Sequence, residues 1–270
     1  MNGYAEPLLI DFLAQLAPHW RFALFAAAGI VAGLVLDLAV RRVPVAVERA
    51  WLAEMEAIGP GEATTPQASI SALSAERFQA VPMPDAAPTR RWQLSLLSAL
   101  LSVGVAWRFG PTWQSIGALG LVWTLITLAY IDYDTQLLPD ILTLPLLWAG
   151  LLCNLGHWYA ALPDAVIGAA AGYASLWVLY WIYWLIRRRE GMGFGDFKLY
   201  AALGAWLGWA ALLQIMTIAC LLAIVVAGSA WLAGRLRSDQ MFPFGAFLAA
   251  AGIATLFGGN ELMMWIGGTP

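Results

Sequence analysis

Long apolar runs separated by short polar breaks constrain this chain more than any other feature. Eight runs stand out, at 22–40, 93–107, 114–131, 142–155, 165–186, 199–211, 212–234 and 244–256. In lipid every backbone N–H and C=O must be satisfied internally, which a helix does within a single run. The expected fold is all-α, a polytopic membrane bundle of about eight helices. Composition agrees: 61% of the residues are hydrophobic and 11% charged, which is not a soluble balance. Several runs fall short of the roughly 20 residues a bilayer normally needs. They imply local thinning, flanking extension or burial inside the bundle.

The basic residues orient the bundle. Arg41, Arg42, Arg49, Arg77, Arg90 and Arg91 lie between runs one and two, Arg187, Arg188, Arg189 and Lys198 between five and six, and Arg235 and Arg237 between seven and eight. With eight spans all of these share one side, and only Arg21 and Arg108 lie opposite. The positive-inside rule makes the basic side cytoplasmic and both termini periplasmic. Run one is expected to be a retained span in preference to a cleaved signal peptide, because its stronger positive flank follows the apolar stretch. Tryptophans at 20, 92, 113, 158 and 265 flank apolar runs as an aromatic belt would. Cys153 and Cys220 fall inside apolar runs and read as small buried hydrophobes.

Three units follow. Residues 1–40 form a periplasmic N-terminus and first span. Residues 41–92 form a cytoplasmic loop, with an amphipathic helix at 45–57 and an irregular middle rich in Pro, Ala, Ser and Thr. Residues 93–270 form a seven-helix core.

Two polar breaks on the cytoplasmic side carry the chemistry. One holds Asp132, Asp134 and Asp140 in Ile131-Asp132-Tyr133-Asp134-Thr135-Gln136-Leu137-Leu138-Pro139-Asp140; the other holds Asp196 in Gly191-Met192-Gly193-Phe194-Gly195-Asp196-Phe197-Lys198. Carboxylates at a membrane boundary are costly and usually functional. A pair of them can hydrolyse a peptide when one is ionised to activate water and the other is protonated to polarise the carbonyl. The helices that carry them suggest roles. Asp132 closes a helix, where the dipole disfavours negative charge, and Asp196 precedes one, where it is favoured. On that basis Asp196 is the expected base and Asp132 the acid.

Gly191, Gly193 and Gly195 permit a flexible loop and close approach of an extended substrate. Met192 and Phe194 are expected to pack that loop. Asp134 reads as a solvated loop carboxylate. Asp140 follows Pro139 at a helix start, with a direct chemical role as the weaker alternative. Lys198, the only lysine, would contact substrate or tune Asp196, or else snorkel to headgroups. Asp37 would pair with Arg41 one turn on.

These motifs resemble those of bacterial type IV prepilin peptidases. The first break with the following Leu142-Thr143-Leu144-Pro145-Leu146-Leu147-Trp148 is similar to that family's first active-site region, and Glu190 to Leu199 to its second. Phe242-Pro243-Phe244-Gly245 resembles the motif before its last span. The resemblance runs from about Trp92 to Gly259. It implies an inner-membrane aspartic endopeptidase of the Gly-x-Gly-Asp type, with Asp132 and Asp196 catalytic. Such an enzyme removes the basic leader of prepilins and pseudopilins, serving a pilus or a type II secretion system. It cuts after a glycine, at the cytoplasmic face, and proteolysis needs no cofactor.

Many family members also methylate the new N-terminus from S-adenosylmethionine, and that donor is implied here if the second activity is retained. The stretch from Gly33 to Pro44 resembles the family's first-span exit, but Asp37 stands where asparagine is usual. The usual Tyr-Pro-x-x-Glu is replaced by Trp92-Gln93-Leu94-Ser95. The loop lacks the family's two Cys-x-x-Cys pairs, having no cysteine at all, so zinc is not expected. Prepilin or pseudopilin substrates and the bilayer are the expected partners; nucleic acid is not. The competing class is a non-enzymatic assembly component or a transporter. A transporter's acids would sit near the midplane on broken helices, whereas these lie at one edge beside a glycine loop.

Overall fold

The computed structural model describes residues 8–58, 88–188, 192–233 and 243–259. Nine helices lie among them: α1 (Leu8–Gln15), α2 (Pro18–Ile58), α3 (Pro88–Phe109), α4 (Trp113–Thr135), α5 (Asp140–Leu155), α6 (Leu162–Arg187), α7 (Phe194–Leu207), α8 (Trp209–Leu232) and α9 (Phe244–Gly258). No strand occurs among the described residues. The protein is a polytopic helical membrane protein. Helices α2, α4, α6 and α8 each carry a segment long and apolar enough to cross a bilayer. The four others that follow α1 correspond to the remaining expected spans, and α5, α7 and α9 have only 16, 14 and 15 residues.

Two boundaries differ from the sequence expectation. The first span and the amphipathic segment at 45–57 form one helix of 41 residues that passes through Pro44. Proline ends a helix only where its missing N–H and its ring clash are not absorbed by a bend. The break between runs six and seven falls at Gly208 instead of 211. There the backbone takes φ 81°, a left-handed conformation that glycine adopts without strain. The middle of the segment expected as a loop at 41–92, Gly191, Phe242 and Trp265 lie outside the described residues.

Helix α7 is the centre of the bundle, packed against α5, α6, α8 and α9. Between Asp196 and Trp206 only Lys198 escapes burial. A helix that is apolar all round belongs in an interior, and small residues let its neighbours approach. A Cβ on Gly172 of α6 would lie 2.8 Å from the Tyr200 carbonyl oxygen of α7. The carbonyls of Gly168 and Gly204 press on each other's α-carbons across the same seam. A second seam joins α2 to α3, where a Cβ on Gly29 would lie 2.6 Å from the Ser98 carbonyl oxygen. Close backbone approach at small residues is how membrane helices gain packing without a hydrophobic drive.

Polar side chains finish the far end of α7. Buried Asn154 donates from Nδ2 to the carbonyls of Ala205 (2.8 Å) and Trp206 (2.9 Å), and its Oδ1 accepts from the N–H groups of Tyr159 and Ala160. One side chain thereby serves both the last turn of α7 and the connection between α5 and α6. The Trp206 indole N–H donates to the Leu146 carbonyl at 2.8 Å, tying α7 to α5.

The outward faces are apolar. Leu185, Ile186, Val225 and Leu232 are each at least 65% exposed, as lipid-facing residues must be. Trp20, Trp92 and Trp113 are also exposed. Cys220 lies on this outer surface and Cys153 is half-buried; both are free thiols, so burial holds only in part for Cys153 and not for Cys220.

Candidate functional site: a buried pair of carboxylates

Three helix ends converge on one point. Asp132 stands in the last turn of α4, and the chain leaves that helix through Gln136 in a left-handed conformation whose N–H donates to the Asp132 carbonyl at 2.8 Å. Asp196 stands in the first turn of α7, after an extended Gly193. The third end is the start of α9, after Pro243. A Cβ placed on Gly245 would lie 3.0 Å from Asp132 Oδ2 and 3.0 Å from Asp196 Oδ1. Those two oxygens are therefore no more than about 6 Å apart, twice that distance. Both acids are buried, at 5% and 7% exposure.

The start of α9 supplies the hydrogen bonding. The Ala246 N–H donates to Asp132 Oδ2 at 2.8 Å. Asp196 Oδ1 is buried with no hydrogen-bond partner. This is the reverse of what the carrying helices suggest. Asp132 does lie at a helix C-terminus, but the exposed N–H groups of another helix face its carboxylate. The Phe242-Pro243-Phe244-Gly245 stretch carried this signal. Its glycine is where no side chain fits, and proline fixes the helix start. Nothing local marked Ala246 as a donor to a residue so far away in the chain.

The remaining site candidates divide. Gly195 presses on the segment between α4 and α5, where its Cβ would come 2.6 Å from Leu138 Cβ. Gly193 has open space around its α-carbon, so its value lies in the turn and not in close approach. Lys198 and Asp140 pair with each other, Nζ lying 2.6 Å from both carboxylate oxygens. Asp140 begins α5 behind Pro139, as expected of a helix start, and Lys198 holds it. Phe194 packs its ring at an angle against those of Tyr180 and Phe197, and Met192 packs on the core.

Asp134 is not a solvated loop acid. It belongs to α4, is 21% exposed, and pairs with Arg90 of α3 at 2.5 Å. Arg90 also lies over the Tyr130 ring, 5.4 Å from its centroid. The neighbouring Arg91 reaches Asp37, which is fully buried and pairs with Arg41 at 2.9 Å. The start of α3 is thus bound to α4 by one arginine and to α2 by the next. Each acid of the central pair consequently lies two residues from an ion pair to another helix. No group of three or more His, Cys, Asp or Glu side chains that could hold a metal occurs among the described residues.

A membrane bundle with two buried acids meeting at its helix ends defines the class: a membrane-embedded protein with an aspartate pair. Residues 119–228 match the Type IV leader peptidase family. Across nearly the whole length the chain is similar to proteins named prepilin leader peptidase/N-methyltransferase. That of Burkholderia pseudomallei strain 1026b is 39% identical, over 94% of this chain and 91% of the relative. That of Aeromonas salmonicida strain A449 is 38% identical, over 96% and 97%. That of Pseudomonas aeruginosa is 40% identical, over 87% and 89%. The chain belongs to the type IV leader peptidase family and is a peptidase. No solved structure matches it.

Proposed function

We propose that this chain removes the leader of type IV prepilins or pseudopilins, cutting after a glycine at the cytoplasmic face of the inner membrane, with Asp132 and Asp196 as catalytic residues. The observation that carries this reading is the shared 3.0 Å approach of both carboxylates to the Gly245 α-carbon substituent position. Two acids so close cannot easily both ionise, and they share one proton. The distribution of basic residues supports the cytoplasmic placement.

The hydrogen bonds support a division of roles. Ionised Asp132 is held by the Ala246 N–H, and Asp196, with no donor on Oδ1, holds the proton. Asp132 takes a proton from water as the water oxygen bonds to the scissile carbonyl carbon. Asp196 donates to the carbonyl oxygen and stabilises the charge that develops there. The C–N bond then breaks as the proton on Asp132 passes to the leaving nitrogen. Asp196 recovers its proton as the carbonyl reforms.

The relatives' name includes an N-methyltransferase, for which S-adenosylmethionine would be the donor. A carboxylate would suit that donor's ammonium and sulfonium. The only other buried acid among the described residues, Asp37, is closed off by Arg41 and Arg91. It does not fit that role.

The test is cleavage of a purified prepilin in detergent by wild type, Asp132→Ala and Asp196→Ala. Each variant is expected to lose at least about 100-fold in kcat while remaining folded. Full activity in either folded variant would remove the pair from the mechanism. Labelled S-adenosylmethionine in the same mixture reports the second activity.

A further inference from the structure

The pair of acids is walled on one side by a single side chain. A Cβ on Gly245 would meet Leu138 Cδ1 at 2.8 Å, and that same position is 3.0 Å from both carboxylates. Leu138 is also held from the other direction, because its Cβ lies against the Gly195 α-carbon, where an added methyl would come within 2.6 Å. Leu138 therefore fills the gap between the starts of α7 and α9, beside the two acid oxygens.

This side chain cannot easily withdraw. The segment from Gln136 to Pro139 is pinned at both ends. The Gln136 N–H is bonded to the Asp132 carbonyl at 2.8 Å. The Pro139 carbonyl accepts from the N–H groups of Leu142 and Thr143 at 3.0 and 3.2 Å. Pro139 is itself buried, and Asp140, the next residue, is tied to Lys198. Leu138 is thus a wall, not a mobile cover.

A reacting carbonyl carbon must come within about 3–3.5 Å of the water that the acids hold. A residue whose carbonyl approached the acids on the side of Gly245 would lie beside Leu138 Cδ1. Resting on the peptidase reading above, we propose that Leu138 is a specificity-determining residue, whose side chain limits the residue before the scissile bond to the smallest side chains. A Cβ at that substrate position would compete with Leu138 Cδ1 for the same volume. One extra methyl group at a fitted site is worth roughly 10- to 200-fold in kcat/KM.

The experiment uses the full-length protein in detergent and two purified prepilins that differ only before the cut, one with glycine and one with alanine. Wild type is expected to prefer glycine by at least about tenfold. Leu138→Ala and the milder Leu138→Val should raise the alanine rate relative to the glycine rate, bringing the ratio to within about threefold for Leu138→Ala. A ratio unchanged in Leu138→Val overturns the proposal, whether or not Leu138→Ala remains active. Loss of the alanine and glycine rates in parallel in both variants, at constant ratio, overturns it too. A wild type that cuts neither substrate removes the peptidase reading itself, and the wall with it.

Discussion

Lys198 and Asp140 bind two helix starts together, with Nζ 2.6 Å from both carboxylate oxygens. One helix carries Asp196 two residues earlier; the other begins just after the Leu138 segment. The pair is partly exposed, at 28% and 54% of the side chains, so its worth lies in position more than in stability. Lys198→Met is expected to slow cleavage about three- to tenfold through kcat, with KM little changed. Lys198→Arg should recover most of that rate. Steady-state cleavage of a purified prepilin decides it, and a change confined to KM would favour direct substrate contact.

Arg90 and Asp134 act at the other acid. This pair is more enclosed, at 15% and 21% exposure, and removing one partner leaves a partly buried charge. Asp134→Asn is expected to cost about 1–3 kcal/mol of stability and to lower kcat. The double variant Arg90→Gln/Asp134→Asn should cost less than the sum of the single changes. Thermal unfolding in one detergent, measured as a double-mutant cycle, gives the coupling; strict additivity would mean the pair contributes nothing.

Gly245 leaves no room for a side chain. Gly245→Ala puts a methyl group 3.0 Å from both acid oxygens and 2.8 Å from Leu138. Cleavage should fall by at least about 100-fold, since misplacement on the order of an ångström has that effect. Circular dichroism should show the helices intact. Retained activity would mean that the start of α9 can move away from the acids.

On the proposed mechanism, one proton shared by Asp132 and Asp196 makes the pH dependence two-sided. At low pH both acids are protonated and no base remains; at high pH both are ionised and no acid remains. The kcat profile should therefore be bell-shaped. A single sigmoid over the range in which the protein stays folded would contradict a working pair.

Asn154 links the end of α7 to the connection before α6 through four hydrogen bonds. Asn154→Leu would leave two carbonyls and two N–H groups of the backbone without that partner. About 1–3 kcal/mol per stranded buried group predicts a large fall in thermal stability, read by unfolding in detergent. A shift of less than about 1 kcal/mol would mean that water or neighbouring groups satisfy them.

Much of this was legible in the chain itself, for definite reasons. Spans are visible because lipid demands unbroken apolar helices, and Asp132 and Asp196 because carboxylates are rare at their edges. The ion pair of Asp37 with Arg41 is visible because both lie on one helical face. What escaped depends on contacts between distant segments. Asp134 looked solvated because Arg90 approaches from α3. The N–H donor on Asp132 escaped because it comes from α9. Leu138 is one leucine among many until Gly195 and Gly245 close around it. Pro44 and Gly208 displaced boundaries because a proline can be absorbed by a long helix and a glycine can break one abruptly.

The brevity of α5, α7 and α9 has a physical consequence for the water that the reaction consumes. At 1.5 Å per residue these helices are about 21–24 Å long, against a hydrocarbon core of about 30 Å. The interior α7 escapes this mismatch, but where the exposed face of α5 meets lipid a helix this short is expected to thin the bilayer. Such a depression would bring solvent toward Asp132 and Asp196 from the lipid surface. Thicker membranes would make that dimple deeper and costlier, so the lipid itself becomes a determinant of how readily the acids are wetted.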